Sequence, residues 1–211
     1  MLRAGISTVS QHFSVCLMDD EKVLSELQLY KESLDDLLDV LHRFFIEAGY
    51  TLDDVEEWVI VNGPGSYAGI RIGLSVIKTM AFVKNKPVKV VNTIELLAFQ
   101  NRHYKGLIVA VMDSRKDEVN FGIYGGQPFN ILLKQETIRL DVLLVKLGII
   151  EGDYIIVGDL KSVPAEFEKH FFRTLPSARE AILLSFQKPV LDLAEVLPIY
   201  AYPVNISKGK A

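Results

Sequence analysis

One order of elements can be read twice along this chain, and few architectures accommodate it. Phe13, Val15 and Leu17 alternate with Ser14, Cys16 and Met18, and Val23, Leu27 and Leu29 punctuate the stretch that follows. With Leu2 to Ile6 this predicts three successive strands, Asp19-Asp20-Glu21-Lys22 turning the hairpin between the second and third. A helix follows, with Leu34, Leu37, Leu38, Leu41, Phe45 and Ala48 at helical spacing. Ser33 is its expected N-cap, Asp35 and Asp36 fall in its first turn where they oppose the helix dipole, and Gly49 stops it. Val55 to Val61 reads as a buried strand, residues 62–66 as a tight turn, and the next helix runs to about Asn85. Val88 to Val91 is a strand and Thr93 to Arg102 a helix.

The order then restarts. Residues 107–112, 118–124 and 129–134 are strands; a helix over 140–147, a strand over 154–157 and a helix over 178–186 come after. Strand, strand, strand, helix, strand, helix occurs twice, broken near His103 to Gly106. Two copies of a mixed sheet with helices on its faces predict a two-lobed, duplicated α/β fold of the actin and sugar-kinase type, with lobes 1–103 and 104–211.

Composition narrows the function classes. At 49% hydrophobic and 24% charged residues the chain is globular rather than disordered. The net charge of -4, with no Lys or Arg stripe, argues against a protein that neutralises many phosphates by itself, so any contact with RNA is expected to be indirect or weak. Cys16 is the only cysteine, which excludes a disulfide framework and a thiolate metal cage. No apolar run approaches the roughly 20 residues needed to span a bilayer, and the start lacks an apolar stretch of signal-peptide length. The expectation is a cytoplasmic protein with no membrane partner.

The strongest local signal is Asn62-Gly63-Pro64-Gly65-Ser66-Tyr67-Ala68-Gly69-Ile70-Arg71-Ile72-Gly73. Glycines at a strand-to-helix turn can free N–H groups for a phosphate. The segment lacks the Gly-Lys-Ser/Thr ending of a phosphate loop, and Pro64 and Ala68 stand where a G-x-S-x-G elbow needs glycine. A structural turn capped by Ser66 is the plainer reading. Behind it, Ile70, Ile72, Leu74, Val76, Ile77, Met80, Phe82 and Val83 point around the whole helix axis. Such a helix is covered on more than one side, either by its own chain or by a partner. His12, His42, His103 and His170 show no metal spacing. Asp113, in the 113–118 hairpin turn, is either a solvated turn residue or a group that helps to hold a hydrated Mg²⁺.

Residues 63–73 closely resemble the signature of the bacterial TsaB (YeaZ) family. Three further stretches are similar to that family in order: 91–98, which reads VNTIELLA; 111–119, which reads VMDSRKDEV; and Leu197-Pro198-Ile199-Tyr200. The resemblance implies the same actin-like fold and a non-catalytic role in N6-threonylcarbamoyl modification of adenosine 37 in tRNA. It implies a larger TsaD-type catalytic paralogue as partner, a TsaE-type ATPase in a larger complex, and self-pairing as a homodimer. The family pairs through its first two helices, which implies an interface at Leu34, Leu38, Leu41, Phe45, Ile70, Arg71, Leu74, Ile77 and Lys78. Two departures stand out. Ser7 occupies the position of the family's N-terminal aspartate, and Lys31-Glu32-Ser33 the position of its histidine before the first helix. No catalytic, cofactor or metal residue is therefore expected in this chain, ATP and Mg²⁺ belonging to the complex. The other functions considered are a stand-alone actin-fold ATPase or kinase, and a protease acting on the paralogue. For the protease, neither Ser66 nor Cys16 has an evident base.

Overall fold

The computed structural model describes residues 1–30 and 34–201. In chain order the elements are β1 (Leu2–Ser7), β2 (His12–Asp19), β3 (Lys22–Tyr30), α1 (Leu37–Ala48), β4 (Glu57–Val61), α2 (Tyr67–Lys84), β5 (Val88–Val91) and α3 (Thr93–Phe99). The second half adds β6 (Leu107–Asp113), β7 (Glu118–Gly125), β8 (Asn130–Arg139), α4 (Leu140–Gly148), β9 (Tyr154–Asp159), β10 (Phe171–Arg173) and α5 (Ala178–Ser185). The sheets are ordered β3-β2-β1-β4-β5 and β8-β7-β6-β9-β10. In each, the first three strands pair antiparallel and the last two join in parallel. This is one topology used twice, the two-lobed, duplicated actin-like α/β fold.

The halves differ where the sequence pattern is weakest. Residues 160–170 form turns where the first half has α2, and Phe167 plugs the second sheet from that segment. The short strand β10 was not predicted; its three residues pair with β9 at the sheet edge. The strand expected over 129–134 extends to Arg139, because as an edge strand β8 tolerates the polar run Lys134 to Thr137. The first helix begins at Leu37 rather than Leu34: Leu37 N–H bonds to the Leu34 carbonyl in a tight turn, and the helical ladder starts with Val40 N–H to Asp36. Asp35 and Asp36 therefore precede the helix. Ser33 lies outside the described residues.

Every residue of β4 and nearly every residue of β1 and β2 is buried, so both faces of the first sheet are covered. The cover comes partly from the other half of the chain. On β6, Ile108, Ala110 and Met112 face α3, which belongs to the first half, while Val109 and Val111 face α4 and Phe167. Conversely α5 brings Ala178, Ala181, Ile182 and Leu184 into the first lobe's core. After α5 the chain continues along the first lobe to residue 200, burying Val196 there. A cut between residues 103 and 104 separates the sheets but divides α3 and α5 from the sheets they cover. Hydrophobic period sets which helix face is buried, not which sheet receives it.

At one end of the first sheet Arg3 Nε donates to Glu57 Oε1 at 2.8 Å, and Lys89 Nζ lies 3.3 Å from Oε2. The Glu57 side chain is only 5% exposed. Removing its carboxylate takes the close counter-charge from two little-exposed cations, leaving Arg3 only the more distant Asp20 at 3.8 Å. Glu57→Ala is therefore expected to lower stability by about 3 to 5 kcal/mol, measured by urea unfolding.

Candidate docking face and interlobe cleft

The glycine-rich turn launches α2, and three of the N–H groups around it are engaged within the chain. Ser66 N–H donates to the Val9 carbonyl at 2.7 Å, Gly69 N–H to the Ser66 hydroxyl at 3.2 Å and Ile70 N–H to the Ser66 carbonyl at 2.9 Å. Ser66 is thus the helix cap. The glycines serve close approach. A Cβ at Gly69 would collide with the Thr8 carbonyl oxygen, and one at Gly73 with the Thr8 hydroxyl. The two lie one helical turn apart, so one bare face of α2 rests on the β1–β2 turn, where Thr8 Oγ1 donates to the Gly69 carbonyl at 2.8 Å.

The same rotation decides which side chains of α1 and α2 reach the surface. Ile70, Leu74, Ile77 and Ala81 repeat every turn on the inward face of α2; Leu41 and Phe45 do so on α1. Leu41, Phe45, Ile70, Leu74 and Ile77, named from the resemblance as interface residues, are therefore buried in the chain's own core. Leu38 is 58% exposed and Arg71 is exposed, whereas Leu34 and Lys78 are half-buried. The outward faces also carry Ile46, Phe82 and Val83, at 61%, 76% and 68% exposure. Ile46 and Phe82 were not singled out among the candidate residues; helical phase, which sets them off the buried stripes, marks them as outward-facing. Tyr67, Ala68, Arg71, Ile72, Ser75 and Val76 line a groove of about 480 Å³ along α2.

Between the lobes lies a polar cleft of about 580 Å³, where Ser10, His12, Ser66, Asp113, Ser114, Asp159, Lys161 and Arg173 meet. Ser7, where the resemblance implies an acid, is fully buried, and its hydroxyl has no hydrogen-bond partner among the described residues. Asp113 Oδ2 accepts the Lys161 N–H at 2.7 Å, and Asp159 pairs with Arg173 at 3.5 Å. A neutral, orphaned Ser7 and two carboxylates already engaged do not fit a magnesium nucleotide held by this chain alone. His12 shares the cleft with Ser66, but no described hydrogen bond joins their side chains, and Ser66 is occupied as a cap. His170 stacks on Tyr154 at 4.8 Å, away from any such pair. Burial, reinforced by Glu26 and opposed by Arg179, pushes the Cys16 thiol up to about 12, so its nucleophilic thiolate is scarce at neutral pH. Among the described residues no group of three or more His, Cys, Asp and Glu is placed to hold a metal ion, and no helix is long and apolar enough to cross a membrane.

A family model described as TsaD, tRNA N6-adenosine threonylcarbamoyltransferase, matches residues 28–197. The chain belongs to the TsaD family. Within it, the similarity falls on the TsaB (YeaZ) group. The chain is 30% identical over 142 residues to the tRNA threonylcarbamoyladenosine biosynthesis protein TsaB of Bacillus subtilis, covering 66% of this chain and 61% of that protein. It is 25% identical over 165 residues to the Escherichia coli protein of the same name, covering 73% and 69%. YeaZ from Pseudomonas aeruginosa has the same fold, with a TM-score of 0.75 at 19% identity over 94% of this chain and all of that one. The aligned part thus spans less than two thirds of the B. subtilis relative.

The Gly69 packing is the reason we give for the signature's glycines. Gly69→Ala is expected to push α2 off Thr8 and cost about 1 to 3 kcal/mol, read as a lowered urea midpoint with an unchanged slope.

Proposed function

We propose that this TsaB-group chain is a non-catalytic subunit of tRNA threonylcarbamoyladenosine biosynthesis. It docks a TsaD-type catalytic paralogue through the outward faces of α1 and α2. The observation that carries this reading is the pairing of an apolar outer face with a neutral Ser7 at the position where the resemblance implies an acid. Leu38, Ile46, Phe82 and Val83 remain exposed after the chain has folded, while Ser7 offers no charge to a metal or a water. Family membership and the names of the relatives support the pathway. The occupant of the face is a catalytic member of the same family, which carries the transfer chemistry this cleft does not support. Leu38, Arg71 and the half-buried Leu34 stay in the proposed interface region, while the half-buried Lys78 is turned to the chain's own Val196 carbonyl. Leu41, Phe45, Ile70, Leu74 and Ile77 support it from beneath.

On this reading the complex works in the cytoplasm, with a TsaE-type ATPase joining the pair and ATP and Mg²⁺ bound at the level of the complex. The same face also pairs two copies of this chain when the paralogue is absent. Contact with tRNA is indirect, in keeping with the net charge of -4.

Threonylcarbamoyl transfer to tRNA should be assayed with the TsaD-type and TsaE-type proteins, with and without this chain. Product is expected to depend on the chain. Phe82→Asp, at an exposed site that leaves the core intact, is expected to reduce paralogue binding and product by tenfold or more, about 1 to 2 kcal/mol of interface energy. Equal product with and without the chain would refute the reading.

A further inference from the structure

Residues 188–200 return along α2 as a strap with almost no regular structure of its own; the single bridge from Leu191 to Val88 is its one sheet-like contact. It is instead pinned at both ends and in the middle. At its start Lys188 Nζ donates to both carboxylate oxygens of Glu95, at 2.6 and 2.7 Å. At its far end Asn62 Nδ2 donates to the Leu197 carbonyl at 2.9 Å, and Ile199 N–H to the Asn62 carbonyl at 2.8 Å. In the middle Val196 is buried, and its carbonyl accepts a hydrogen bond from Lys78 Nζ at 3.0 Å. An ammonium group aimed at a main-chain carbonyl is a strong, directional tie.

The far end of the strap reaches the proposed docking face. Tyr200 packs on Tyr67 with ring centroids 5.0 Å apart. Arg71 lies over the other partner in this stack: its guanidinium is 5.3 Å from the Tyr67 ring centre, and Nη1 donates to the Tyr67 hydroxyl at 3.0 Å. Tyr67 and Arg71 both line the α2 groove. The chain of contacts therefore runs from Lys78 to the strap, from the strap through Tyr200 to Tyr67, and from Tyr67 to Arg71.

We infer that the strap is a positioning device for the docking face, with Lys78 as its central latch: Lys78 acts on partner binding through the strap rather than by touching the partner. The inference rests on the docking reading above. It assigns Lys78 the role of a positioning residue and leaves Arg71 as the contact whose direction the strap sets.

The test uses the full chain and reads two quantities in each variant: amide exchange at Ile199 and affinity for the TsaD-type paralogue. Lys78→Met is expected to speed exchange at Ile199 by about tenfold and weaken paralogue binding by a similar factor, with the thermal midpoint little changed. Lys78→Arg, which keeps a donor, is expected to restore both. Tyr200→Leu, which keeps the apolar contact and removes the ring pair, is expected to weaken binding without loosening Ile199. Unchanged exchange in Lys78→Met overturns the latch. Faster exchange with undiminished affinity overturns its link to docking. If the unmodified chain binds no paralogue, the docking reading itself fails and this inference falls with it, an outcome distinct from the other two.

Discussion

The structure depends on an exchange of helices between its two sheets. α3, from the first half, covers β6, β7 and β9; α5, from the second half, covers β1, β2, β4 and β5. Close approach makes this possible. A Cβ on Gly5 would stand 2.7 Å from both the Ala178 carbonyl oxygen and Ile182 Cγ1, so β1 must be bare where α5 crosses it. The Ser14 hydroxyl accepts the Ala178 N–H at 3.0 Å, tying the first sheet to the start of α5. Between the helices Gln100 bonds the Leu175 carbonyl at 3.0 Å and the Ser177 N–H at 3.2 Å, and Arg102 pairs with Glu180 at 2.7 Å. Neither helix exceeds eight residues, too short to persist in isolation, so each depends on the sheet of the other half.

That exchange organises the rest of the surface. With α5 on one face of the first sheet, α1 and α2 take the other, and among the described residues no further layer covers their outer sides. The cleft forms between the lobes, at the ends of β1, β6 and β9. The surface divides the same way: in the cleft Asp113 and Asp159 are held by Lys161 and Arg173, and the apolar exposure lies on the far helices.

Much of this was legible in the residues. The doubled order of strands and helices follows from local period and turn chemistry, and Ser66 caps α2 as its residue type leads one to expect. Burial against a particular neighbour was not legible. Ala178, Ile182 and Leu184 announce an amphipathic helix, but nothing in their spacing says that it crosses to the first sheet. The all-round apolar character of α2 was read as a need for cover on two sides. The structure divides that need between the core, the strap and a face left exposed. For the same reason five of the nine residues assigned to the interface by resemblance turn inward, while Phe82, about 100° round the helix from the buried Ala81, stands out. Of the strap only Leu197 to Tyr200 was singled out, and by resemblance, because the segment has no period. It is held by a lysine, an asparagine and main-chain carbonyls, which leave no pattern in composition.

The central claim is that this protein acts by docking and not by chemistry in its own cleft. Hydrogen–deuterium exchange of the chain with and without the TsaD-type paralogue tests it most directly. The account expects new protection on α1 and α2, and none in the 113–118 turn beyond that of the free chain. Protection confined to the cleft around Asp113 and Ser7, with α1 and α2 unchanged, would contradict it.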